Sequence, residues 1–269
     1  MLPDQTQALA ASRAEPLWPR PPAWTIALGS IVAAMLLLFP LLVTSTFAQH
    51  TMILIFLYAL MAQSWNVIAG LSGQISLGHA MFFGIGAYAV GVLGVKFGIT
   101  PWFGTIVGML LAALAAVAVG IPTLRLKGHY FAIATLLIGS SVQIIFQRWD
   151  WVGAASGLFL PLKRGSPWLD MQFHTSKAPY YYLSLTIAAL AFLVVWKMRR
   201  SRLGFRLQAL RDDAEAAASL GVAVARHKVL AFMISGAMMA VAGSFYTQYV
   251  LVLDPERVFS VDISIIVVS

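Results

Sequence analysis

The sequence predicts an all-α protein that crosses a lipid bilayer several times. Of its 269 residues, 60% are hydrophobic and only 10% are charged, and the mean hydropathy is +0.83. Soluble domains contain roughly 25% charged residues, so this chain needs lipid as its solvent. Its apolar residues are gathered in runs of about 20, the length that a helix needs to cross a bilayer. The absence of cysteine excludes disulfides and thiolate metal sites within these residues.

Seven apolar runs and the start of an eighth follow a polar N-terminal tail, residues 1–23. We predict that the first run, residues 24–43, is a helix that stays in the membrane, because a cleaved signal peptide has a shorter apolar region. The eighth run opens near Val258. The membrane domain is therefore predicted to comprise residues 24–269, with about seven to eight helices. The runs after the first are residues 51–70, 80–95, 102–121, 130–146, 180–196 and 229–251.

A glycine-rich, uncharged segment interrupts this pattern near residues 70–80. It predicts a broken or re-entrant helix, since irregular backbone at membrane depth is tolerated only where protein buries it or it lines a wet cavity. The alternative is a short cytoplasmic turn whose polar side chains cap the neighbouring helices. For the histidine, a hydrogen-bonded structural role is a further alternative, and no second histidine or carboxylate nearby completes a metal site. The residues predicted to line a polar translocation path are Gly73, Gln74, Ser76, Gly78 and His79.

Small residues recur along one face of the run that begins at residue 80, at alternating spacings of four and three. In lipid no hydrophobic force drives helices together, and small residues let their backbones approach closely. We predict that this face packs against another helix of the same chain or of a partner. The positions are Ala80, Gly84, Ala87, Gly91 and Gly94.

Orientation in the membrane explains the net charge of +8 without nucleic acid. Lys and Arg are retained on the cytoplasmic side during insertion, and a cytoplasmic N-terminus puts twelve of the 18 basic residues on that side. The densest cluster, residues 197–206, directly follows an apolar run. The twelve are Arg13, Arg20, Arg125, Lys127, Lys197, Arg199, Arg200, Arg202, Arg206, Arg211, Arg226 and Lys228.

Acidic residues are absent between Glu15 and Asp150, across five predicted helices. Proton- and sodium-coupled carriers commonly use carboxylates inside the membrane, so this absence disfavours a secondary transporter and indicates that the energy for transport comes from elsewhere. A carrier built on backbone carbonyls stays an alternative. No cluster of acids, bases or metal ligands indicates an enzyme, and no catalytic residue or metal site is predicted.

Residues 205–221 predict one short amphipathic helix on the cytoplasmic side, within a polar segment that covers residues 199–227. Leucine and alanine occupy one face, acidic side chains occupy the other, and Gly221 is the predicted C-terminal cap. An interfacial helix lying on lipid headgroups would carry Lys and Arg on its polar face, because anionic lipid repels carboxylates. We therefore predict that this helix contacts a protein partner.

Three stretches occur in a distinctive order: residues 73–88, which begin Gly-Gln-Ile-Ser-Leu-Gly-His; residues 124–128, Leu-Arg-Leu-Lys-Gly; and residues 211–221, in which Arg-Asp-Asp precedes Glu-Ala-Ala and a glycine. The last resembles the loop by which permeases of bacterial ATP-binding-cassette importers dock on their ATPase subunits. Together the three resemble the second permease of branched-chain amino acid importers. The resemblance extends from about residue 51 to the end of the chain.

The resemblance implies a multi-pass subunit of the bacterial inner membrane that forms half of the translocation path for branched-chain amino acids. The implied partners are a second homologous permease, two ATPase subunits and an extracytoplasmic solute-binding protein. This chain lacks Gly-x-x-x-x-Gly-Lys-[Ser/Thr], so no cofactor is expected in it and ATP is used by the partner subunits. Urea or short amides are alternative substrates. The residues implied to couple the chain to the ATPases are Arg211, Asp212, Glu215, Ala216 and Gly221.

Two features depart from the family pattern. Residues 152–158 stand where the family usually has a segment that starts with Thr-Gly-Gly. They belong to the long external loop, residues 149–179, which either receives a soluble partner or is a plain connector. The chain also stops where an apolar run begins, whereas members of the family continue through further helices. We therefore expect a truncated product or a fragment.

Overall fold

The computed structural model describes residues 23–126, 128–162, 166–173 and 176–268. The predicted tail, most of residues 1–23, and the predicted cytoplasmic Lys127 lie outside the described residues. The helices are α1 (Ala23–Leu42), α2 (Thr46–Ser72), α3 (Ala80–Phe97), α4 (Pro101–Thr123), α5 (His129–Arg148), α6 (Pro167–Asp170), α7 (Ala178–Arg199), α8 (Arg202–Asp212), α9 (Ala214–Ser219), α10 (Val224–Val250), α11 (Pro255–Val258) and α12 (Val261–Val268).

The prediction of an all-α membrane protein is confirmed. Within the described residues, six helices are long and apolar enough to cross a membrane, namely α2, α3, α4, α5, α7 and α10. The first predicted span corresponds to α1, whose apolar part covers Ala27–Leu42. The eighth run corresponds to α12, which has eight residues in the described part of the chain.

The chain divides into two compact units after Thr44. In the described part of the first unit, α1 is a single helix with Pro40 inside it. The second unit is built around α10, which packs against α2, α3 and α4, while α3 also packs against α4 and α7 packs against α2. The short helices α8 and α9 lie at one end of this bundle, where α8 contacts α2, α7 and α10.

Glycine allows α3 and α10 to approach closely. A Cβ atom added at Gly243 of α10 would lie 2.8 Å from the carbonyl carbon of Phe83 and 3.0 Å from the backbone nitrogen of Ala87. Two hydroxyls of α10 donate hydrogen bonds across the same contact: Ser244 Oγ to the carbonyl of Gly86 (3.2 Å) and Thr247 Oγ1 to the carbonyl of Ala87 (3.2 Å). Small residues and interhelical hydrogen bonds are the usual means of joining helices in lipid.

The predicted break between the second and third runs is confirmed. Gly73 ends α2 with a φ of 70°, a left-handed conformation that glycine adopts without steric cost, and its N–H donates to the carbonyl of Ala69 (3.0 Å). Residues 73–79 are not helical, and α3 begins at Ala80. Most of the second half of this segment is buried, so its irregular backbone is enclosed by protein.

The prediction of one amphipathic helix over residues 205–221 was wrong, because two helices cover these residues. Asp213, with a φ of −152°, separates α8 from α9. Its side-chain Oδ1 accepts hydrogen bonds from the backbone N–H groups of Glu215 (2.9 Å) and Ala216 (3.0 Å), which makes Asp213 the N-cap of α9. An aspartate side chain can bind nearby backbone N–H groups in place of the helical hydrogen bonds, so the chain turns at Asp213. The apolar pattern continues across this turn and therefore did not reveal it. Gly221 has a φ of 85°, as a cap requires.

Two short strands join distant parts of the chain at the other end of the bundle. β1 (Leu158–Phe159) pairs antiparallel with β2 (Val252–Leu253), with Leu158 opposite Leu253. The backbone N–H of Leu160 continues the pairing by donating to the carbonyl of Leu251 (2.9 Å). The sequence did not predict these strands, because two residues are too short to show an alternating pattern. They fasten the long loop to the segment that follows α10.

Candidate functional site

A cleft of about 740 Å³ opens at the end of the bundle that carries α8 and α9. We call it the α8–α9 cleft. Its walls are the end of α2 with the start of the irregular segment, the turn after α4, the α8–α9 pair and the start of α10. The polar and charged residues that line it are Ser72, Gln74, Arg125, Arg211, Asp212, Asp213, Glu215 and Lys228.

Arg211 of α8 contacts the end of α2 inside this cleft. Its Nη1 donates a hydrogen bond to the carbonyl of Gly70 at 3.0 Å, and its Cγ lies 2.7 Å from where a Cβ of Gly73 would stand. The carbonyls in the last turn of a helix carry partial negative charge and lack partners in the helix, so a guanidinium there is favourable. Arg211 also pairs with Asp212 at 3.3 Å. It therefore joins α8 to the point where α2 gives way to the irregular segment.

The short helix α9 presents its acidic side to solvent. Ala217 is buried against the rest of the molecule, whereas Glu215 and Ala216 are exposed. The position of Gly221 is exposed too, and a Cβ there would meet nothing within 4 Å. This exposed helix ends in open space and carries the carboxylate of Glu215, so another protein can reach it.

His79 lies at the centre of a buried hydrogen-bond network. Its ring nitrogens lie 2.9 Å from Ser76 Oγ and 2.7 Å from Ser235 Oγ, and all three residues have no exposed surface. Ser235 and Ser64 then exchange two hydrogen bonds between hydroxyl and carbonyl, at 2.6 and 2.7 Å. The network thus ties the irregular segment to α10 and α2.

Three further hydrogen bonds hold the irregular segment and its junction with α3. The indole N–H of Trp65 donates to the carbonyl of Ser76 (2.9 Å), and the backbone N–H of Leu77 donates to Thr135 Oγ1 of α5 (3.2 Å). At its end, the backbone N–H of Ala80 donates to Ser264 Oγ of α12 (3.0 Å). Backbone groups that a helix would have satisfied internally are in this way satisfied by three different helices, α2, α5 and α12.

A layer of buried aromatic rings lies beside His79. The ring of Phe82 is 5.1 Å from that of Phe232, and both make edge contacts with the imidazole. Phe232 lies against Gly120 in the wall of the α8–α9 cleft. Phe83, next to Phe82, lines a second cavity of about 480 Å³ that opens at the opposite ends of α2 and α10. The layer therefore neighbours residues that line each of the two cavities.

The structure brings two predicted groups of residues together in one cleft. Gly73 and Gln74, predicted for the translocation path, and Arg211, Asp212 and Glu215, predicted for coupling, all line the α8–α9 cleft. The other predicted path residues, Ser76, Gly78 and His79, are buried behind it. The functional roles of both groups stay predictions. The contact of His79 with Ser235 was missed, since the two residues stand 156 positions apart in the sequence and only the fold joins them.

The stripe of small residues on α3 contacts the segment after α10. Gly84 faces the ring of Phe259 and Gly91 faces Leu253, while Gly94 has only the carbonyl of Ile99 nearby, 4.0 Å from an added Cβ. Ala80 and Ala87 are buried. Gly86, which is not part of the stripe, also approaches α10 closely, since its added Cβ would lie 2.5 Å from Ala240 Cα. The prediction of a partner helix for the stripe as a whole stays a prediction.

A known protein family matches residues 47–269, which extend from α2 through α12. It is described as the permease component of branched-chain amino acid transport systems. No solved structure matches the chain.

Curated proteins similar to the chain are bacterial transport permeases. The high-affinity branched-chain amino acid transport system permease protein LivM of Escherichia coli (strain K12) is 30% identical over 221 residues, covering 74% of this chain and 52% of that protein. LivH of Salmonella typhimurium (strain LT2) is 26% identical over 74% of the chain and 68% of its own length. The nucleoside ABC transporter permease protein NupC of Lactococcus lactis is 24% identical over 68% of the chain and 58% of its own length. The chain thus spans about half the length of LivM.

Proposed function

Because the chain belongs to the family of permease components of branched-chain amino acid transport systems, we propose that it is one transmembrane subunit of an ATP-driven importer. The match over residues 47–269 carries this proposal. The subunit would form half of the translocation path, and a second, homologous permease would form the other half. Two ATPase subunits and an external solute-binding protein would complete the complex.

The distribution of basic residues supports a cytoplasmic location for the α8–α9 end. The last turn of α7 contains Lys197 and Arg199, and α8 adds Arg202, Arg206 and Arg211. Basic residues this close to a membrane exit are retained on the cytoplasmic side. The N-terminus would then be cytoplasmic as well, and β1 and β2 would lie outside.

The exposed acidic side of α9 is the proposed contact with an ATPase. ATP-driven closure of the two ATPases would move α9. The helix α8 would follow, because Asp213, the residue at the end of α8, is also the N-cap of α9. Arg211 would pass the movement to the end of α2 and the irregular segment. The closed aromatic layer would then open toward one cavity or the other in turn, which is alternating access.

Branched-chain amino acids are the proposed substrates, since LivM is named for the branched-chain amino acid transport system. NupC is named for nucleosides, and another relative, from Clostridioides difficile, is named as a tyrosine transport permease, 27% identical over 61% of the chain. Urea or a short amide stays an alternative substrate. An ion-coupled secondary transporter stays the alternative mechanism.

Uptake into proteoliposomes tests the proposal. The full-length subunit is reconstituted with its neighbouring permease, ATPases and binding protein, and uptake of labelled leucine, tyrosine, uridine and urea is measured with and without ATP. We expect ATP-dependent leucine uptake that is lost when the ATPases are omitted. Uptake by this subunit alone under an ion gradient would instead establish a secondary carrier, and uptake of another solute in place of leucine would overturn the substrate.

A further inference from the structure

The cavity of about 480 Å³ at the β1–β2 end combines charged and apolar walls. We call it the second cavity. Its apolar wall comes from α2, where Leu54, Leu57 and Met61 face it, and from Phe83 of α3. Its charged wall comes from the segment after α10, with Asp254, Glu256, Arg257 and Asp262. A volume of this size is typical of small-molecule sites.

The charged wall is organised around Arg257. Asp254 pairs with Arg257 Nε at 3.7 Å through Oδ2, while its Oδ1 caps α11 by accepting from the backbone N–H of Glu256 (2.9 Å). Asp254 therefore holds the guanidinium at the rim of the cavity. The two terminal nitrogens of a guanidinium form the fork that binds a carboxylate with two parallel hydrogen bonds.

Two further carboxylates face the same space. Asp262, at the start of α12, accepts a hydrogen bond from Ser260 Oγ (3.1 Å) through Oδ2, and Glu256 is exposed at the rim. With three carboxylates and one guanidinium, the charged wall carries a net charge of −2. Among the described residues no group of three acidic or histidine side chains is arranged to hold a metal ion, so the negative charge does not indicate a metal. It suits an organic cation such as an ammonium group.

We propose that the second cavity binds a zwitterionic amino acid with an apolar side chain. Asp262 and Glu256 would receive the ammonium group, Arg257 would receive the carboxylate, and Leu57, Met61 and Phe83 would contact the side chain. The inference rests on the proposed function, and it identifies the outer half of the translocation path. The open cavity and the exposed rim suit weak binding, which lets a transported solute leave again.

The absence of cysteine from residues 1–269 permits a direct test. Ile263 lines the cavity, so Ile263→Cys introduces a thiol there. The variant is made in the full-length permease and purified in detergent together with its partner permease. The rate at which a maleimide labels this thiol is then measured. Tyr58→Cys, on the opposite wall, serves if the first variant does not fold. Leu220→Cys, beside the α8–α9 cleft, is the control. We expect leucine to slow labelling at least threefold in the cavity and to leave the control unchanged.

Leucine analogues test the charged contacts. Leucinamide keeps the ammonium group and lacks the carboxylate, while 4-methylpentanoate keeps the carboxylate and lacks the ammonium group. We expect protection in the order leucine, leucinamide, 4-methylpentanoate. Arg257→Gln and Asp262→Asn should each raise the half-protecting leucine concentration at least tenfold, whereas Arg148→Gln and Asp150→Asn, charged positions outside the cavity, should change it less than twofold. Equal protection by all three compounds, or none by any, would overturn the inference.

Failure of this inference is distinguishable from failure of the proposed function. ATP-dependent leucine uptake by the complete importer without protection of Ile263→Cys by leucine overturns the cavity site alone. Protection by leucine without ATP-dependent uptake supports the site and overturns the importer. Blocking of the thiol by the solute-binding protein and not by leucine would make the charged wall a docking surface and overturn the site.

Discussion

A single imidazole joins three elements at the level where α2 is interrupted. His79 has a hydrogen-bond partner at each ring nitrogen and has no exposed surface, so every change at this position leaves a buried hydroxyl with fewer partners. Burying an unpaired polar group costs about 1–3 kcal/mol. Two roles are predicted for His79, a structural one and one in the translocation path. Replacing His79 lowers the stability of the protein if the role is structural.

His79→Ala is expected to lower the thermal midpoint of the purified full-length protein by several degrees, because the loss of the network removes about 2–3 kcal/mol. Differential scanning fluorimetry in detergent measures this shift. Ser141→Ala, an exposed serine whose hydroxyl bonds only within its own helix, is the control. An unchanged midpoint together with abolished transport would assign His79 to the path.

Arg211 makes the opposite kind of contact, exposed and at the edge of the cleft. Arg211→Ala should leave the protein inserted and folded while the number of solute molecules taken up per ATP hydrolysed falls several-fold, because α8 loses its hold on the end of α2. Uptake and ATP hydrolysis are measured together in proteoliposomes. Arg202→Ala, on the same helix and outside the cleft, should keep the ratio. Equal ratios in both variants would contradict the proposed transmission.

At the scale of elements, the contact between α3 and α10 depends on missing side chains. Gly243 faces backbone atoms of Phe83 and Ala87, which cannot rotate away, whereas a Cβ added at Gly94 of the predicted stripe would meet only the carbonyl oxygen of Ile99, at 4.0 Å. Overpacking of a close contact costs about 1–3 kcal/mol. The sequence pattern found a stripe of small residues but not this glycine, since spacing on one helix does not identify the helix that faces it.

Gly243→Ala is therefore expected to reduce the yield of monodisperse protein and to lower its thermal midpoint by several degrees, with Gly94→Ala close to the unchanged protein. Size-exclusion chromatography and thermal unfolding in detergent measure both effects. If Gly94→Ala is the more damaging change, the stripe is in contact with another subunit and Gly243 has room to adjust.

At the scale of the whole molecule, the two ends of the bundle have different chemistry. The α8–α9 end has many arginines and an exposed helix, and the β1–β2 end has a loop with tryptophans and the acidic second cavity. The proposed orientation puts the first end in the cytoplasm. In intact cells, a membrane-impermeant maleimide should label Leu162→Cys, 68% exposed, and should label Leu220→Cys, 87% exposed, only after permeabilisation. The reverse pattern would invert the topology.

The sequence was sufficient to predict the apolar helices, the interruption at residues 73–79 and the family, because length, composition and a glycine-rich break are local properties. Two features were not predicted. Asp213 breaks the periodic pattern because its side chain caps a new helix, and the strands β1 and β2 are too short to show a period. The second cavity could not be predicted. Its apolar wall precedes its charged wall by about 200 residues, and only the packing of α2 against α10 brings them together.

The pairing of β1 with β2 has a consequence for biosynthesis. Leu158 pairs with Leu253, so the ribosome must add about 95 further residues before the partner strand exists. At about 5–20 residues per second, β1 waits roughly 5–20 s with its backbone groups unpaired. During that interval the strand is open to another edge, which is the exposure that folded proteins avoid. Pausing of translation between α7 and α10 would lengthen this interval.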